Sequence, residues 1–171
     1  MRKSLYILGD LTEEDVLALS KLGKIVEASP GDNLIRAGVK VNALYFVTQG
    51  AMEVRLSNGT TVASLGIGDV AGEMSFVESR PPETDVVAAE SCRLLAVPRE
   101  ALTRELEQNT SFAARFYKAL ATFLSDRLRT TTTLAAGGGI ADDELDERLL
   151  DMVHVAGDRM LRLIELMDKG A

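Results

Sequence analysis

From Lys24 to Val97 glycine keeps interrupting the chain, at 31, 38, 50, 59, 66, 68 and 72, between runs of four to eight residues rich in β-branched and aromatic types. Many short strands at this spacing point to a jelly roll or barrel. "AMEVRL" alternates, with Met52, Val54 and Leu56 on one face and Glu53 and Arg55 on the other. "SNGT" at 57–60, followed by "TVASL", predicts a hairpin, because Asn-Gly tolerates the positive φ of a tight turn.

The segments on either side read as helical. Asp10, with Glu13 three positions on, forms a capping pattern, and Val16, Leu17, Leu19 and Leu22 supply the buried side of a short helix. Residues 98–107 predict another short helix. Asn109 or Thr110 then caps a longer one, on which Phe112, Phe116, Leu120, Phe123 and Leu124 form an apolar stripe. Three glycines at 137–139 end it as a joint. A last helix, about 141–169, steps its apolar residues Leu145, Leu149, Met152, Ala156, Met160, Leu163 and Met167 by four and three, the seam of a helix packed on a helix. The expected organisation is therefore a roll with an N-terminal helix over 1–109, a long helix over 110–136, and a hinge with an amphipathic helix over 137–171. The fold class is α+β, mainly β: a jelly roll or double-stranded β-helix roll flanked by helices.

Composition narrows the function. The net charge of −7, from 26 acidic against 19 basic side chains, gives no basic face for nucleic acid or anionic membrane. One cysteine, Cys92, excludes an internal disulfide and a cysteine-rich zinc site. "MRKSLYILGD" is too short in apolar residues for a signal peptide, and no segment approaches the ~18 apolar residues of a membrane span. A soluble, cytoplasmic protein is expected. No Ser–His–Asp set, P-loop or paired-histidine motif is present, and His154 stands alone, so neither catalysis nor a metal site is expected.

"GDNLIRAGVKVNALYFVTQGAMEV", "LGIGDVAGEMSFVESRPP" and "CRLLAVPREAL" occur in that order. Together they resemble the cyclic nucleotide-binding domains of the Crp–Fnr type over about residues 5–135. The resemblance implies a first sheet, a phosphate-binding cassette, and a final strand with the helix after it. Gly72 and Glu73 match the family's ribose- and phosphate-binding glycine and glutamate, with Met74 and Ser75 continuing into a helix-like turn. N–H groups there would point at an anion, and Glu73 would accept from a ribose hydroxyl. The resemblance also implies a homodimer through the long helix, whose hydroxyls meet the base across the interface; Thr131 and Thr132 align best with that role. The apolar residues Phe112, Phe116, Leu120, Phe123, Leu145, Leu149, Met152, Met160 and Leu163 are the expected dimer face.

The second half of the cassette departs from the family. An arginine is expected after Pro81; Pro82 stands there, followed by Glu83, Thr84 and Asp85. Losing the partner of a buried charge costs about 2–5 kcal/mol, roughly thirty- to several-thousand-fold in affinity. A carboxylate ~4 Å from phosphate adds repulsion of about 4 kcal/mol at an effective dielectric of 20. Arg80, two residues before Pro82, is the one cation a shifted loop could swing inward. If a ligand is retained, the set is Gly72, Glu73, Met74, Ser75, Arg80, Pro82, Glu83, Thr84, Asp85, Thr131 and Thr132.

Three readings stay open. The first is a non-enzymatic regulatory module, homodimeric, acting through protein contacts that include the C-terminal helix, with cAMP or cGMP binding weakened or lost. The second is a genuine sensor of a cyclic nucleotide or cyclic dinucleotide. The third is a transcription regulator that lacks its own DNA-binding domain, because only 35 residues follow Ala136 and "DDELDERLLD" is acidic.

Overall fold

A computed structural model of the chain describes residues 5–78, 80–135 and 147–169. Eight strands form two four-stranded antiparallel sheets. The first holds β1 (Lys24–Ala28), β8 (Cys92–Pro98), β3 (Ala43–Gln49) and β6 (Val70–Ala71), in that order. The second holds β2 (Asn33–Ile35), β7 (Asp85–Ala88), β4 (Met52–Arg55) and β5 (Thr61–Leu65). Among the described residues six helices flank the roll: α1 (Leu5–Asp10), α2 (Glu13–Leu22), α3 (Glu73–Glu78), α4 (Arg99–Gln108), α5 (Thr110–Ala135) and α6 (Glu147–Lys169). This is the α+β, mainly β roll with flanking helices that the glycine spacing implied.

The two sheets differ in sequence because they differ in what covers them. In β4, Met52 and Val54 are buried in the roll, while Glu53 and Arg55 face outward and pair with each other. That alternation marks a sheet with one wet face. In β3 and β8 both faces are covered. Val47, Cys92 and Leu94 join the cluster inside the roll, whereas Leu44, Phe46, Leu95 and Val97 join a second cluster shared with the helices. Hence "ALYFV" and "CRLLAV" read as continuous apolar runs.

Local signals mostly hold, with three corrections. The hairpin closes through Leu56 O, which accepts from Gly59 N–H at 2.8 Å, and Asn58 Oδ1, which accepts from Thr60 N–H at 2.9 Å. Leu56 therefore belongs to the turn and is exposed, not aligned with Met52 and Val54. The cap of α2 is Thr12, not Asp10: Thr12 Oγ1 accepts from Asp15 N–H, and Asp15 Oδ2 accepts from Thr12 N–H. Asp10 instead ends α1, a helix too short to show a period. Leu17 lies on the exposed side of α2, while Val16 and Leu19 are buried. Asn109 caps α5 as expected, its Oδ1 accepting from Phe112 N–H at 3.0 Å.

One ion pair bolts α2 to α5. Asp15 is 2% exposed, and its two oxygens accept from Arg115 Nε at 2.7 Å and from Arg115 Nη2 at 2.8 Å. Burial alone would raise this carboxyl; the bonds from Arg115 and Thr12 outweigh it and hold the group below the ordinary aspartate range. Among the described residues no helix is long and apolar enough to cross a membrane.

Candidate functional site

The chain leaves β6 at Gly72, enters α3, passes Pro81 and Pro82, and returns as β7. Gly72 has φ +91°, and a Cβ there would lie 2.7 Å from Ala43 O and 3.3 Å from Val41 Cγ1. The close approach that excludes a side chain is thus to the backbone just beside it at the start of β3. The glycine is explained by the fold itself, before any ligand is considered.

Three contacts seat α3. Phe76 is buried and meets Phe116 of α5 edge-on, with ring centroids 5.6 Å apart. Phe116 in turn meets Phe112 edge-on at 6.1 Å. Arg99, the first residue of α4, donates to Ser75 O at 2.9 Å and to Phe76 O at 3.3 Å, with its guanidinium 5.9 Å from the Phe76 ring centre. Its own N–H donates to Asn42 O at 2.9 Å. Arg99 was not singled out in the sequence, where "VPRE" shows only a strand ending and a helix starting. Its role arises from a carbonyl pair some two dozen residues upstream.

Above α3 lies a cavity of about 70 Å³, lined by Gly72, Glu73, Met74, Ser75, Pro82 and Thr84 against the aliphatic walls of Ile35, Val41, Val54, Leu65, Val70 and Val86. A pocket for a drug-sized ligand runs to roughly 300–1,000 Å³, so this space is narrow as it stands. Glu73 is 3% exposed and Ser75 is buried, whereas Met74 is 55% exposed and turns largely to solvent. Among the described residues no lysine or arginine lines the cavity. Arg80 and Glu83 are exposed and outside the lining, so the shifted-loop arrangement of Arg80 is not the one adopted.

Asp85 is also outside the lining. Its Oδ1 accepts from Ala37 N–H at 2.8 Å, and Pro82 O accepts from Gly38 N–H at 2.8 Å. These two bonds lace the proline-rich segment to the loop after β2. The acid expected beside a phosphate is instead a strut that holds the rim of the site. Asp69, four residues before Glu73, is likewise engaged: its Oδ2 accepts from Gly66 N–H at 2.7 Å and closes the turn before β6.

The helical residues fall into two groups. Phe112, Phe116, Leu120 and Phe123 are buried within the single chain, in one cluster with Ile7, Leu8 and Leu11 of the N-terminal segment and with Met160 and Leu163 of α6. The part of the expected dimer face that lies on α5 is buried within the single chain, where α1 packs on α5 and α6 packs on α1 and α2. A different stripe of α5 is open, including Tyr117 at 48% and Leu128 at 68% exposure, with Leu124 half-buried between them. The side chains of Thr131, Thr132, Leu149 and Met152, and Leu145 altogether, lie outside the described residues.

The model of the cyclic nucleotide-binding domain family matches residues 25–109. The voltage-gated inwardly rectifying potassium channel KCNH2 of Canis lupus familiaris is 33% identical over 129 residues, 74% of this chain and 11% of the channel. Glutaminase 2 of Bradyrhizobium diazoefficiens is 30% identical over 122 residues, 71% of this chain and 19% of that protein. The chain thus spans less than a fifth of the length of either curated relative. A solved cyclic nucleotide-binding domain from Methylobacillus flagellatus KT superposes with a TM-score of 0.69, covering 78% of this chain and 77% of that one. At 21% identity that likeness is one of fold.

Proposed function

Residues 25–109 belong to the cyclic nucleotide-binding domain family, and from that premise we propose that this regulatory module of the Crp–Fnr type holds cAMP and cGMP weakly or not at all. The observation that carries the reading is the rim: Pro82 and Asp85 are laced to Gly38 and Ala37, and among the described residues no lysine or arginine lines the cavity. An anionic phosphate placed there would meet no guanidinium among the described lining residues to offset its desolvation. The module then acts through its helices, to which the cassette is joined by Phe76 on Phe116 and by Arg99.

A homodimer belongs to the same proposal, along Tyr117, Leu124 and Leu128 of α5 rather than along the stripe that is covered within the chain. That stripe repeats at seven and four residues, which suits a helix–helix seam.

Calorimetry with cAMP, cGMP and cyclic dinucleotides tests the ligand reading on the wild type and on Pro82→Arg. The expected result is no saturable heat for the wild type, and cAMP affinity at least ~30-fold tighter in Pro82→Arg, the lower end of what restoring a charge partner supplies. Micromolar binding by the wild type that disappears in Arg80→Ala would establish the sensor reading instead.

A further inference from the structure

Helix α6 sits in a seat made by the N-terminal helices. Ala156, Met160, Leu163 and Met167 are buried on one stripe, in the cluster that includes Ile7, Leu8 and Leu11. The opposite side of α6 is open, with Val155 and Leu161 exposed. Two polar anchors hold α6 in the seat. Arg159 Nη1 donates to Leu8 O at 2.9 Å and to Gly9 O. Arg93 of β8 pairs with Asp168, which is more than half exposed.

These anchors give the seat a direction. Leu8 and Gly9 are in the last turn of α1, where carbonyls have no acceptor role left within the helix, so an incoming arginine satisfies them. Arg93 presents a cation nine residues further along the occupant, where an acid is required. Alongside them runs an apolar channel that takes Ala156, Met160, Leu163 and Met167, at steps of four, three and four. This is the pattern by which a groove recognises an amphipathic helix.

We propose that this seat is a helix-binding site, that α6 is its releasable internal ligand, and that the α6 of a second copy binds it once the internal one has left. A second copy carries the same stripe and both anchors in the same register, so it fits without adjustment. An emptied seat also leaves an apolar surface that needs a cover. The site is separate from the cassette and stands whether or not any nucleotide binds.

The test uses the full chain and a fluorescein-labelled peptide of residues 147–169. Met160→Asp places a carboxylate in the stripe of the internal helix without changing the seat. The peptide is expected to bind this variant at least tenfold more tightly than it binds the wild type, by fluorescence anisotropy. A peptide that itself carries Met160→Asp is expected to bind neither. Equal binding to both chains overturns the proposal, because the peptide is then elsewhere. A folded Met160→Asp chain that ignores the peptide overturns it as well. If Met160→Asp does not fold, Arg159→Ala combined with Asp168→Ala removes only the anchors and takes its place in the same comparison. Failure of both variants to fold shows α6 to be an integral part of the core, and the proposal falls.

Discussion

Replacing Gly72 by alanine separates a glycine kept for the fold from one kept for a ligand. The backbone there has φ +91°, which an L side chain adopts at a cost of about 1–3 kcal/mol. The new Cβ would also lie 2.7 Å from Ala43 O, a backbone atom fixed in the first sheet that cannot rotate away. Relieving such an overlap moves packed segments and adds about 1–3 kcal/mol. The sum, about 2–6 kcal/mol, lowers the melting temperature by roughly 4–24 °C in a domain of this size. Gly31 is the matched control: its φ is +89°, and a Cβ there would meet nothing within 4 Å. Gly31→Ala therefore carries the backbone cost without the overlap. Circular-dichroism melts of the two variants and the wild type, all without ligand, read both terms. Gly72→Ala is expected to melt several degrees below Gly31→Ala. If the two melt together, the overlap with Ala43 is not felt; if Gly72→Ala also matches the wild type, the fold does not require this glycine.

Two more perturbations probe the struts. Asp85→Thr removes the acceptor of Ala37 N–H and should cost about 1–2 kcal/mol, seen as a fall of roughly 2–8 °C in melting temperature; an unchanged melt would show that the rim is not held by this bond. Asp15→Asn should cost about 1–2 kcal/mol at pH 7, discounted because the Arg115 end is partly open to solvent. Since the folded carboxyl lies below 3.8, its contribution is complete above that pH and disappears as pH falls through the depressed folded value. The gap between wild type and Asp15→Asn is therefore expected to close on acidification below 3.8, and melts from pH 7 to 2.5 would refute the assignment if the gap stayed constant.

What was legible in the sequence was whatever neighbours decide. The Asn58-Gly59 hairpin, the Asn109 cap and the alternation of Met52, Glu53, Val54 and Arg55 each depend on residues a few positions apart. The N-terminal cap was misplaced because Asp10 with Glu13 and Thr12 with Asp15 offer the same spacing two residues apart. Only the second has its acid turned back, where Arg115 also holds it. Leu56 was placed by extending a period past the residue at which the turn interrupts it.

Long-range partners left no such trace. The four-three step of α6 announced a packed helix without saying that its seat lay about 150 residues earlier, at Leu8 and Gly9. Gly72 looked like a cradle because the backbone it must approach, at Ala43, is a strand away. Asp85 looked like a misplaced charge because Ala37 N–H, its partner, is 48 residues upstream.

The bond from Arg159 to the end of α1 has a topological consequence. The first and last of the described helices touch, so the two extremes of the described chain are held as one piece. Loosening of either helix would therefore loosen the other, and the two are expected to lose protection from amide exchange together.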